Sequence, residues 1–140
     1  MALAVAAVRS DRDTAGLPHH PLAASTFSTA KSAFSALEGD TLKALAAKYQ
    51  DRVFAFDHPS LSADPVDNAR WFLEQIPNDV HLELDIIAHS RGGLVARVLA
   101  GGMPNAQLDL SRVSVHAVVC AGTPNYGTPL ADAEHLSSLC

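Results

Sequence analysis

The 140-residue sequence predicts an α/β fold with a mostly parallel sheet and crossover helices, and three observations carry that expectation. Short apolar runs of strand character alternate with stretches whose apolar residues recur at helical spacing, the pattern of β-α-β units. Turn-forming residues break the pattern at each joint. The run from Leu84 to Ala88 passes through His89 and Ser90 into a helical stretch starting at Gly92, so a strand enters a helix with almost no loop between them.

Taken in order, Met1 to Val8 is apolar but has no basic region before it and is at the short end for a signal-peptide core, so it reads as a frayed terminus or a strand, with a secretory signal as the lesser alternative. Ser10 to Pro21 holds Gly16, Pro18, Pro21 and the pair His19-His20 without periodicity, which is loop composition. With no further ligand in register the two histidines read as solvated rather than metal-binding. Residues 1–23 are thus expected to be a poorly structured N-terminal segment, with the domain occupying 24–140. Thr29 to Leu37 is a short helix or a loop packing Phe34 and Leu37. Asp40 is placed to cap a helix from Thr41 to Tyr49 with Leu42, Leu45 and Ala46 on one face. Arg52 to Asp57 is a β-type run closed by His58-Pro59.

Asp64-Pro65 supplies a cap followed by proline at the first helical position, opening a helix to about Ile76 that Pro77-Asn78 stops. Val66, Ala69, Trp71 or Phe72, Leu73 and Ile76 form its buried face. The helix from Gly92 carries Leu94, Val95, Val98 and Leu99 and ends at Gly101-Gly102 and Pro104. Arg112 to Ala121 is a last strand, apolar enough at its end to be covered on both faces, with Cys120 as a small core residue.

Composition narrows the function. With 48% hydrophobic and 18% charged residues and no apolar run of the ~18 residues that suggest a membrane span, the chain has the profile of a soluble globular domain. A net charge of −5 argues against nucleic acid as a partner. Cys120 and Cys140 have no metal-ligand spacing and make no disulfide framework, which fits a reducing, cytoplasmic setting. No cofactor or metal is implied.

Ala88-His89-Ser90-Arg91-Gly92 departs by one residue from G-x-S-x-G, in which a serine rides a sharp strand-to-helix turn with its hydroxyl exposed above the sheet. Residues two before and two after the serine must be small for strand and helix to pass closely, and Ala88 and Gly92 are. A serine hydroxyl needs a base, a group to orient that base, and donors for a developing oxyanion. The Arg91 backbone N–H, at the start of a helix, is one such donor. The plainer alternative makes Ser90 a helix N-cap. The strand and helix on either side favour the nucleophile. In open α/β sheets ligands bind beyond the carboxyl ends of the strands, where His58, Ser90 and the loop Gly122 to Pro129 fall. Arg91 and Arg97 read as salt-bridging surface residues rather than an anion site. Tyr126 either lines a pocket or packs over the sheet edge.

Three stretches together resemble the lipase-like branch of the α/β-hydrolase superfamily: Thr26-Phe27-Ser28 with Phe34 downstream, Ile87 to Arg97, and Gly122-Thr123-Pro124-Asn125-Tyr126-Gly127-Thr128-Pro129-Leu130-Ala131. The resemblance implies a partial α/β-hydrolase fold, with 24–140 as the N-terminal portion of the domain. It implies a serine hydrolase of carboxylic esters working through an acyl-enzyme on Ser90, with an ester or lipid-like small-molecule substrate. It also implies Arg91 and Thr26 as oxyanion-hole residues, although Ala24-Ser25 stand where the family has His-Gly before Thr26. The family's order places the acid and then the histidine after the nucleophile, each beyond later strands, and Cys140 comes too soon for them, so the catalytic set is expected to be incomplete in this chain; His135 is the one downstream histidine to consider as base. His89 is directed away by the elbow, His116 lies within a strand, and His58 precedes the serine. Asp57, Asp132 and Glu134 are the carboxylates present as candidate acids, with solvated surface groups as the plainer reading. The alternative is an inactive hydrolase fragment or pseudoenzyme acting as an interaction module through an uncovered apolar sheet edge.

Overall fold

The computed structural model describes residues 2–8, 40–50, 52–58, 63–101 and 103–127, with the backbone alone for 2–8, Leu42 and Asp57. The elements run β1 (Ala2–Val8), α1 (Asp40–Lys48), β2 (Val53–Asp57), α2 (Pro65–Glu74), β3 (Leu82–Ser90), α3 (Gly92–Leu99), a 3₁₀ turn (Pro104–Ala106) and β4 (Val113–Ala121). The sheet order is β2-β1-β3-β4. β1 is antiparallel to both its neighbours, whereas β3 and β4 are parallel. Hence β2, β3 and β4 share one direction and β1 runs against them, a small, mostly parallel α/β arrangement with helices between the parallel strands. Ala2–Val8, part of the segment expected to be poorly structured and outside the domain, instead forms a strand within the sheet, because both its edges find partners in β2 and β3. Thr26, Phe34, His135, Asp132, Glu134 and the His19-His20 pair lie outside the described residues.

Local chemistry sets the helix boundaries. Asp64 is extended (φ −77°, ψ 167°) and its carboxylate accepts the Asp67 N–H at 2.8 Å, with Pro65 beginning α2. The helix stops at Glu74, two residues short of expectation, where Gln75 caps it. Phe72 is buried, Trp71 is half-buried, and both rings meet Phe56 of β2, at centroid distances of 5.1 and 5.3 Å. The choice between Trp71 and Phe72 therefore resolves to both.

β3 is longer than its apolar run. Leu82, Leu84, Ile86 and Ala88 are buried in alternation with less buried Glu83, Asp85, Ile87 and His89. The polar residues that shorten the run in sequence stand on the sheet's other face. On the first face, Phe56 and β3 pack with Ala69, Phe72 and Leu73 of α2 and Val95, Val98 and Leu99 of α3. On the second, Tyr49, just past α1, donates its hydroxyl to Asp85 Oδ2 at 2.7 Å.

β4 corrects one expectation. Val113 is buried and Val115 and Val118 touch the core, but Ala117, Val119 and Cys120 are exposed, Val119 by 60%. Cys120 is a free, exposed thiol rather than a core residue. The reason is position: β4 is the sheet's outer strand among those described, so an apolar sequence does not find a second covering layer. Its register also slips opposite Leu84/Asp85, leaving His116 as the extra residue of a bulge, 3.8 Å from Glu83. No helix among the described residues is long and apolar enough to cross a membrane.

Candidate active site

Ser90 is the last residue of β3 and has φ +54°. Arg91 follows in right-handed helical conformation (φ −60°, ψ −19°), and α3 begins at Gly92. Two other non-glycine residues among those described have positive φ, Gln50 and Gln107. Gln50 comes two residues after α1 and Gln107 caps the 3₁₀ turn, and a left-handed residue at such an end is ordinary. Ser90 instead precedes a helix. A serine held there costs about 1–3 kcal/mol, and such strain gathers at functional turns. The N-cap alternative does not describe this geometry, because Arg91 is the cap residue and makes no side-chain cap hydrogen bond.

Small residues make the turn possible. Ala88 is fully buried and Gly92 is buried, as the spacing requires. The tightest position is Gly93: a Cβ there would lie 2.0 Å from Thr123 Oγ1 and 2.8 Å from Thr123 Cβ. The first turn of α3 therefore rests directly on the loop that leaves β4, where Gly122 turns the chain at φ +60°. Arg97, in the last turn of α3, donates to Asn125 Oδ1 at 3.0 Å and holds the same loop from its other side. Among the described residues Arg97 makes this hydrogen bond rather than the surface salt bridge expected of it. The Arg91 guanidinium donates to the Ala63 carbonyl, just before α2, at 2.7 Å. Tyr126 stands fully exposed at the loop's tip.

Register places the remaining groups. Ala4 of β1 pairs with both Phe56 and Ala88, so these two are level across the sheet. His58 and Ser90, each two residues further on, share the same carboxyl-end edge with one strand between, about 10 Å apart at Cα. His58 is 2% exposed and stacks on Phe56 with centroids 5.6 Å apart. Among the described residues no imidazole is hydrogen-bonded to the Ser90 hydroxyl. His81 Nε2 lies 3.0 Å from Ser114 Oγ at the sheet's opposite end. His89 lies on the face opposite Ala88, its Nδ1 buried without a hydrogen-bond partner. The Thr123 hydroxyl is buried in the same condition beside α3.

The model of a family described as a domain of unknown function (DUF7379) matches residues 17–140. The chain belongs to that family. No curated protein and no solved structure matches it. The DUF7379 match takes in both the Ser90 turn and the Gly122 loop that packs on it, so the two form parts of one family domain. What reading the DUF7379 sequence residue by residue missed is the support of the turn: Gly93 and the Arg91 side chain. The doublet Gly92-Gly93 is the one signal that could have shown the first, since a strand-to-helix turn alone asks for a single small residue after the serine.

Proposed function

We propose that this chain is a serine hydrolase of the α/β-hydrolase type, cleaving carboxylic esters of small or lipid-like molecules, with Ser90 as nucleophile. The observation that carries the reading is the left-handed Ser90 between β3 and α3. In the reaction Ser90 Oγ attacks the ester carbonyl while its proton passes to a base, and the carbonyl oxygen gains the negative charge. The Arg91 N–H donates to that oxyanion, and Thr26 supplies the second donor by resemblance. Collapse breaks the ester C–O bond and the alcohol leaves with the proton from the base. Water then attacks the acyl-Ser90 ester and releases the acid. His135 is the candidate base downstream of Ser90. The exposed Cys120 thiol suits a reducing, cytoplasmic compartment.

The test is labelling by a fluorophosphonate, which esterifies activated serines, followed by intact mass. The expected result is one adduct on the wild-type chain and none on Ser90→Ala. An unlabelled, folded wild type removes the hydrolase reading.

A second reading rests on β4. Its exposed outer strand, Val113–Ala121, contains no Asp, Glu, Lys or Arg, so antiparallel pairing with β4 of a second copy meets no charge repulsion. In that reading the chain is an interaction module whose partner is itself.

A further inference from the structure

We infer that the Arg91 side chain is a positioning residue for the oxyanion donor carried by its own backbone. The inference rests on the hydrolase reading of Ser90 and adds a role for a group that reading leaves unused. A residue at a helix N-cap ordinarily offers a side-chain oxygen to the first free N–H groups of the helix. Arginine has only donors, and none of the cap N–H groups of α3 receives a side chain from it. Those N–H groups stay turned toward the carboxyl edge of the sheet, on the same side as Ser90. The guanidinium points elsewhere, to the Ala63 carbonyl 28 residues earlier.

The acceptor is held rigidly. Ala63 immediately precedes Asp64, whose carboxylate caps α2 through Asp67 N and whose carbonyl accepts from Asn68 N at 3.1 Å. Arg91 therefore joins the start of α3 to the capped start of α2, bridging the two helix ends that border the turn. Both ends of the bridge are fixed by packing, because α2 and α3 lie against each other on the core face of the sheet. Next to it, Ser90 is in a conformation that a free chain would leave. A bond that fixes the residue after Ser90 also fixes the direction of its N–H, and that direction decides how well a forming oxyanion is met.

Arg112 provides the internal comparison. It makes the same kind of bond at the other end of α2, donating to the Ile76, Pro77 and Leu73 carbonyls, far from the turn. A purely structural role for Arg91 makes the two arginines equivalent. A positioning role separates them.

The experiment compares the wild-type chain with Arg91→Met, Arg91→Lys and Arg112→Met. It reads the second-order rate of fluorophosphonate labelling, kcat and KM on a p-nitrophenyl ester, and the thermal midpoint. The expected result is a fall in labelling rate and kcat of about 10²-fold for Arg91→Met with KM little changed, the scale of a misaligned catalytic group. Arg91→Lys, which keeps one donor, recovers part of it. Arg112→Met lowers the midpoint but leaves both rates near wild type. Equal rates in Arg91→Met and wild type, or equal losses in Arg91→Met and Arg112→Met, overturn the positioning role while the labelled Ser90 stands. A wild type that does not label overturns the hydrolase reading and this inference with it. If Arg91→Met does not fold, Arg91→Lys decides: a rate unchanged from wild type together with a lowered midpoint marks the bond as structural only.

Discussion

Gly93 and Thr123 share a space that admits only one of them: a methyl group on Gly93 would overlap the Thr123 hydroxyl, methyl and Cβ alike, at 2.0, 2.6 and 2.8 Å. Threonine branches at Cβ and cannot swing clear. Gly93→Ala is therefore expected to destabilise the chain. Overpacking costs about 1–3 kcal/mol, against about 1 kcal/mol that alanine returns in a helix. The denaturant midpoint checks this. Thr123→Gly, introduced together with Gly93→Ala, should recover much of the loss, and a double-mutant cycle with no coupling would dismiss the contact.

Ser90→Gly separates stability from reactivity. Glycine occupies φ +54° without the penalty serine bears, although it also loosens the unfolded chain. The net expectation is a gain of about 0.5–1 kcal/mol, a few degrees in melting temperature, together with complete loss of fluorophosphonate labelling. A lowered midpoint in a folded variant would mean that the left-handed serine is not strained.

On the opposite face, Tyr49→Phe removes the hydroxyl that donates to Asp85 at 2.7 Å. A hydrogen bond to a carboxylate in a partly buried place contributes about 1.5–3 kcal/mol. The expected loss is of that size, read by chemical denaturation, with labelling at Ser90 unaffected because Asp85 lies five residues before the turn on the other face.

Val119 tests the edge of the sheet. A lysine there places a charge in the middle of any strand-to-strand contact through β4. If the chain associates through this strand, light scattering on the wild type should show dimers or larger species and Val119→Lys should show monomers. Identical masses for the two would remove the interaction-module reading.

Most of the architecture is legible in the sequence for a physical reason. The clearest helix start is a local signal: Asp64-Pro65 is a cap and a first-turn proline in adjacent positions, and the structure uses both as such. Ser90 is legible too, because a strand ending and a helix beginning within two residues leaves one way for the chain to turn. Other features depend on partners distant in sequence. That Ala2–Val8 pairs with β2 on one side and β3 on the other depends on residues about fifty and eighty positions away. That Cys120 is exposed depends on what lies beside β4, not on its apolar neighbours. The acceptor for Arg91 is a backbone carbonyl, and carbonyls carry no mark of their own in a sequence.

The place of β1 has a consequence for how the fold is reached. It precedes the other described elements and yet occupies an inner position of the sheet, pairing with β3 far along the chain. β3 and β4, joined through one helix, form a local unit that closes a short loop. The β1–β3 ladder instead closes a loop of about eighty residues. Loops of that length are entropically costly and slow to form. β1 can pair with β2 along one edge before β3 is made, but its other edge stays open until β3 has followed it. Deleting it would leave β2 with no strand to join it to β3, so the sheet is held in one piece by the seven residues Ala2–Val8.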